Sequence, residues 1–134
     1  LATYAPLIQN SDYQIDWSKS ALDIHNQVRG FFPNCFTRFR SQSLKVMATM
    51  PLGAEYWSEL PPELQKLKKV WSSEFEVVRN IGEVVKVIKG LGPVVQTGSG
   101  WLLLWQLQLA GKKIVSGWDF ANGTRLAVEE VIGN

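Results

Sequence analysis

The chain has 134 residues, 46% of them apolar and 19% charged, with a net charge of +2. That length makes one domain, and that balance excludes a disordered acidic or basic tail. The longest apolar run, Trp101–Trp105, falls far short of the ~20 residues of a bilayer span, and the single cysteine, Cys35, excludes an internal disulfide.

Leu1 rather than Met opens the chain, so it reads as a piece of something longer. Residues 1–14 lack a period and contain Pro6, Asn10, Ser11 and Asp12, which reads as an interdomain linker or arm. Ile15-Asp16-Trp17 is a short extended lead-in to a domain over 15–134. Ser20 followed by Asp23 fits a capping box, and Ala21, Ile24 and Val28 recur at helical spacing. The spacing predicts a helix over Ser20–Arg29, stopped by Gly30.

From Cys35 the period changes to two. Phe36, Arg38 and Arg40 share one strand face, with Thr37 and Phe39 on the other. Ser41-Gln42-Ser43 is the expected turn, after which Leu44, Val46, Ala48 and Met50 alternate with Lys45, Met47 and Thr49. Pro51–Asn80 is a distinct block with a short helix opening at Pro61-Pro62-Glu63, and it reads as an insertion on the side of a barrel. Trp17 and Trp71 are the expected anchors of the two helices.

Three more strands are predicted, at Glu83–Lys89, Val94–Thr97 and Trp101–Leu109, joined by glycine-rich turns. On the last, Trp101, Leu103, Trp105, Leu107 and Leu109 would share one face and Leu102, Leu104, Gln106 and Gln108 the other. A strand so apolar on both faces is covered on both sides. The tail reads as a short element at Trp118–Phe120, a turn at Asn122-Gly123 and a strand-like Thr124–Ile132. The expected fold is mainly β, a small Greek-key barrel of the OB type with a capping helix and an inserted helix.

Catalytic chemistry is sparse. His25, the only histidine, lies beside the buried stripe of its helix and reads as structural rather than as a base. Cys35 has no histidine nearby in sequence, and no Cys/His cluster could hold a metal. Gly98-Ser99-Gly100 is too short for a phosphate cradle. No catalytic residue, cofactor site or metal site is therefore assigned.

The charge is segregated. From Asp23 to Glu55 the chain has Arg29, Arg38, Arg40 and Lys45 and no intervening acid; from Glu83 to Asp119 it has Lys86, Lys89, Lys112 and Lys113 and again none. Six glutamates fall within Glu55–Glu83. If the two acid-free stretches are neighbouring strands, their cations form a polyanion-binding patch. On charge alone a solvated face explains them equally well; Arg38 and Arg40 beside Phe36 tip the balance towards RNA, since guanidinium and aromatic planes stack on bases.

Several strings carry a resemblance. Ala2-Thr3-Tyr4-Ala5-Pro6, Ile15-Asp16-Trp17-Ser18 and Ile24–Phe31, then Thr97-Gly98-Ser99-Gly100, Leu107–Lys113 and Asp119-Phe120, stand in the order found in the C-terminal domain of the methionyl-tRNA formyltransferase family, which this chain resembles. The likeness covers nearly everything except Pro51–Asn80. It implies a domain that holds initiator methionyl-tRNA, mainly by its backbone, for an N-terminal Rossmann-like catalytic domain in the same polypeptide. That domain would use 10-formyltetrahydrofolate as formyl donor, and no cofactor would bind here. Lys112, Lys113 and Lys45 stand at lysines of the family's motifs, and Arg29 at the arginine ahead of its Asn-Pro-Trp-Pro-Gly loop. Here that loop reads Phe32-Pro33-Asn34-Cys35, without the tryptophan, and Arg29 equally suits a structural pair with Asp16 or the helix end. The resemblance implies a monomeric parent, cytoplasmic in a bacterium or else organellar, with no membrane partner. The alternative is a structural module of a related folate-dependent formyltransferase, hydrolase or dehydrogenase that never touches RNA.

Overall fold

The computed structural model describes residues 13–52 and 80–133. The elements in chain order are α1 (Ala21–Gly30), β1 (Phe36–Phe39), β2 (Gln42–Leu52), β3 (Val84–Ile88), β4 (Gly92–Gln96), β5 (Trp101–Leu109), β6 (Val115–Ser116) and α2 (Gly117–Thr124). The class is mainly β, as the alternation predicts. The predicted inserted helix and Trp71 lie outside the described residues. The block they belong to begins later than expected, because Pro51 and Leu52 still pair with Leu102 and Trp101. Pro51 is tolerated there because β1 pairs β2 only as far as Lys45, so among the described residues no neighbouring strand on that side needs a backbone donor.

The strands form one antiparallel sheet in the order β1-β2-β5-β4-β3, with β6 paired to β5. The chain leaves β2, passes to β3 at the far edge and returns by hairpins through β4 to β5 beside β2. That is Greek-key connectivity. The gap between the two edge strands is bridged by the last described residues. Val84 N–H donates to Glu130 O and Ile132 N–H to Gly82 O, both at 2.8 Å, while Gly133 N–H donates to Arg38 O at 2.7 Å. The tail therefore ties β3 to β1 and makes the sheet barrel-like.

Ser20 caps α1 as expected, its hydroxyl accepting from Asp23 N–H at 3.1 Å. Ala21, Ile24 and Val28 are buried against the sheet. They join Leu44, Val46, Val84, Val95, Leu102, Leu104 and Leu107 inside the barrel, with Phe120 closing from α2. At about 1.5–3 kcal/mol for each fully buried large aliphatic side chain, this interior is the main favourable term. A second cluster of Leu52, Leu91, Val94 and Leu103, with Met50, Trp101 and Trp105 packed on it, covers the other face of β5.

Strict alternation fails in the middle of two strands. Val46 pairs with Leu107 and Ala48 with Gln106, leaving Met47 extra; Thr49 then pairs with Leu104, leaving Trp105 extra. Each bulge moves the following residues to the opposite face. Leu107 and Leu109 consequently lie with Leu102 and Leu104, not with Trp101, Leu103 and Trp105 as two-residue periodicity predicts.

The β1–β2 turn also differs. It is made by Arg40 and Ser41, with φ of 48° and 68°, and Gln42 and Ser43 are already in β2. Two left-handed residues match a two-residue hairpin to the twist of its strands. In the tail, the predicted turn at Asn122-Gly123 is the last part of α2, and the predicted strand-like Thr124–Ile132 starts on the last residue of that helix and is irregular from Arg125 onward. Ser116 caps α2, accepting from Asp119 N–H at 3.0 Å, and this cap converts the expected short element into two helical turns.

Candidate nucleic-acid interface

The outer face of β1 and β2 carries the first cations. On β1, Thr37 and Phe39 point into the barrel and Arg38 out. Lys45 stands opposite Phe36 on one side and Gln108 on the other, so these three share the outer face in a row across three strands. Gln108 in turn donates from Nε2 to Lys112 O at 3.0 Å, fastening the loop that follows β5 to the end of this row. Gly111, at φ 76°, turns that loop.

Two shallow grooves meet at this point. Lys45 lines one of about 160 Å³ with Gln108, Leu109 and Gly111. Lys112 and Lys113 line the next, of about 310 Å³, which also reaches Leu109 and is floored by Val115 and Phe120. Arg38, Lys45, Lys112 and Lys113 are all exposed. Asp119 is the one carboxylate among the described residues lining either groove. Residues 67 positions apart in sequence thus form one cationic surface.

The other predicted cations go elsewhere. Lys86 lies on β3 and Lys89 in the turn after it, on the edge of the sheet opposite β1. Arg40 leaves the β1 face altogether. Its Nε and Nη2 donate to Glu130 at 2.7 and 2.9 Å, its Nη1 to Thr124 O at 2.8 Å, and its plane lies 4.7 Å from the Phe39 ring centre. Every polar edge of this guanidinium that makes a bond is committed to the tail. Arg40 is a latch on the closing segment, and the expectation that it shares an outer strand face with Phe36 and Arg38 is corrected: β1 ends at Phe39 and Arg40 lies in the turn. Sequence alone could not show this, because the partner lies 90 residues away.

The motif residues have structural work. Asp16 accepts from Ser18 N–H at 3.0 Å and from its hydroxyl at 2.6 Å, and these bonds hold its carboxyl below the usual range. Trp17 is buried and donates from Nε1 to Thr37 Oγ1 at 3.1 Å, pinning the lead-in to β1. Arg29 makes no ion pair with Asp16; it is exposed in the last turn of α1. The Thr97–Gly100 turn docks the helix. Gly98 N–H donates to Trp17 O at 2.9 Å, Ala21 N–H to Ser99 O at 2.9 Å, and a Cβ at Gly98 would collide with the Ser18 carbonyl.

Acid–base and nucleophilic groups are turned to packing. His25 Nδ1 shares a 2.8 Å hydrogen bond with Thr49 Oγ1, and burial together with the charge of Arg29 pushes its imidazole below the ordinary value. Cys35 is fully buried, its thiol donating to Gln27 O at 3.3 Å, and burial raises its pKa. Among the described residues no three His, Cys, Asp or Glu side chains come together as metal ligands, and no helix is long and apolar enough to cross a membrane.

Residues 7–125 match the family described as formyl transferase, C-terminal domain. The chain belongs to that family. It is 88% identical, over 98% of its length, to the methionyl-tRNA formyltransferase of Trichodesmium erythraeum (strain IMS101). It is 60% identical over 97% of its length to that of Gloeothece citriformis (strain PCC 7424), and 58% over 99% to that of Nostoc sp. (strain PCC 7120). The chain spans 39% of the length of each of these relatives. The likeness read from Ile15-Asp16-Trp17 and Leu107–Lys113 therefore holds across the chain, and the structure gives those strings a physical reason: the first buries and caps the lead-in, the second places two lysines beside Lys45.

Proposed function

We propose that this domain is the tRNA-holding part of a bacterial methionyl-tRNA formyltransferase that works in the cytoplasm. It orients initiator methionyl-tRNA for a catalytic domain in the same polypeptide, where the formyl group of 10-formyltetrahydrofolate passes to the methionine amine. No step of that transfer runs through residues of this chain. The carrying observation is that Arg38, Lys45, Lys112 and Lys113 come together on one surface from β1, β2 and the loop after β5. Cations so spread, with no fixed fork of donors aimed at one point, suit a run of phosphates better than a small anion.

Binding by this surface is electrostatic, and it weakens linearly in log–log form as salt rises. Replacing Lys112 and Lys113 together by Ala is expected to weaken tRNA binding and reduce the salt slope by about 2, one unit for each lost phosphate contact. A salt series of equilibrium binding measurements on the two-domain polypeptide checks this. An unchanged slope would sink the assignment of the two lysines. No retardation of tRNA at low salt would instead favour an interdomain module that does not touch RNA.

A further inference from the structure

A further groove, of about 440 Å³, lies between the C-terminal half of α1 and the bulged middle of β2 and β5. His25, Arg29 and Phe32 form one side; Met47, Thr49 and Trp105 form the other. Met47 and Trp105, the extra residues of the two β-bulges, both line it. Phe32 stands 59% exposed, more than any other large apolar side chain among the described residues. Arg29 is exposed beside it, and no carboxylate lies among the described residues lining the groove. His25 is held by Thr49, so the floor is set while the rim stays open.

The composition narrows the occupant. An aromatic wall with a polarizable thioether suits a flat, apolar face, and a single guanidinium at the rim suits one negative charge. The groove has the volume of a small-ligand site. It shares β2 with the cationic surface, since that strand carries Lys45 and also supplies Met47, Ala48 and Thr49 to the groove. A nucleotide has both parts, a planar base and one phosphate. An apolar protein side chain would use the wall and leave Arg29 idle.

We propose that this groove seats one unstacked nucleotide of the bound RNA, its base against Phe32 and Trp105 and its phosphate on Arg29. The inference rests on the RNA-holding reading above and adds to it a contact driven by stacking, which the phosphate contacts do not provide.

The test compares initiator tRNA binding by the two-domain polypeptide with Phe32→Ala, Phe32→Tyr and the Lys112→Ala/Lys113→Ala pair, each over a salt series. Phe32 is exposed, so its loss leaves the fold intact, and circular dichroism verifies this. Phe32→Ala is expected to weaken binding about 10-fold at every salt concentration with the slope unchanged, and Phe32→Tyr to restore it. If Phe32→Ala binds as tightly as the parent while the lysine pair is impaired, the groove proposal is overturned and the RNA-holding reading stands. Loss of formyl transfer at saturating tRNA without loss of affinity would also overturn it, since the groove then seats protein. If the parent polypeptide binds no tRNA, both readings fall.

Discussion

Arg40 shows how far a side chain's role depends on what the fold brings to it. In sequence it is one of four basic residues in an acid-free stretch; in the structure its guanidinium joins the β1–β2 turn to Glu130 and Thr124 in the closing tail. Hydrogen bonds from that guanidinium hold the Glu130 carboxyl below the ordinary carboxylate range. A carboxyl depressed in the folded state stabilises above its unfolded pKa of about 4.5 and loses that contribution as pH falls through the folded value. Glu130→Gln is therefore expected to be less stable than the parent at pH 7, with the difference vanishing as pH falls through the carboxyl's depressed folded value. Urea denaturation at a series of pH values reads this directly; a pH-independent difference would show that the latch acts through shape and not charge. The bridge is part-exposed, so the effect is small and shrinks with salt.

At the scale of elements, capping decides what periodicity leaves open. Ser20 and Asp23 were legible as a helix start because an apolar stripe follows them at the right spacing. Ser116 and Asp119 carry the same signal, but the helix behind them is eight residues long and contains Gly123, so the stripe is too short to read. The cap substitutes for missing propensity. Ser116→Ala leaves Asp119 N–H without its acceptor and is expected to cost about 1 kcal/mol, measurable as a lowered denaturation midpoint with unchanged m-value. Two-residue alternation gives the wrong faces for β5 for a related reason. Alternation is an argument from a perfect ladder, and nothing in the composition of Lys45–Thr49 or Leu104–Leu107 announces an extra residue. The bulges arise where β2 and β5 must bend between the two apolar clusters, which is a requirement of the pair and not of either strand.

For the whole molecule, the decisive contacts are close backbone approaches between distant segments. Gly92 and Gly117 pack face to face against Leu104, a side chain on either being excluded by neighbouring main chain. Gly98 does the same against Ser18, where the Thr97–Gly100 turn receives the start of α1. Gly98→Ala is expected to destabilise by about 1–3 kcal/mol, since the clash is with backbone that cannot rotate away. Its signature is loss of hydrogen-exchange protection at Gly98 and Ala21 before the β2–β5 ladder, because the docking of α1 fails first. Uniform loss across both would mean that helix and sheet unfold as one unit.

The sequence by itself determined the mainly β class, the position of α1, the extent of β5 and the family, because these rest on local spacing, caps and short strings that need no partner. It also placed cations at the positions that form the surface. Which of them act together was decided only by the tertiary structure. Lys45, Lys112 and Lys113 meet because β2 pairs with β5 in one register; Arg40 is withdrawn because the tail returns to the β1–β2 turn; Phe32 and Trp105 line one groove because the end of α1 lies against the bulged middle of β2 and β5. Charge and ring count are properties of a chain, but a binding surface is a property of register, and register is set by the buried side chains of both strands at once.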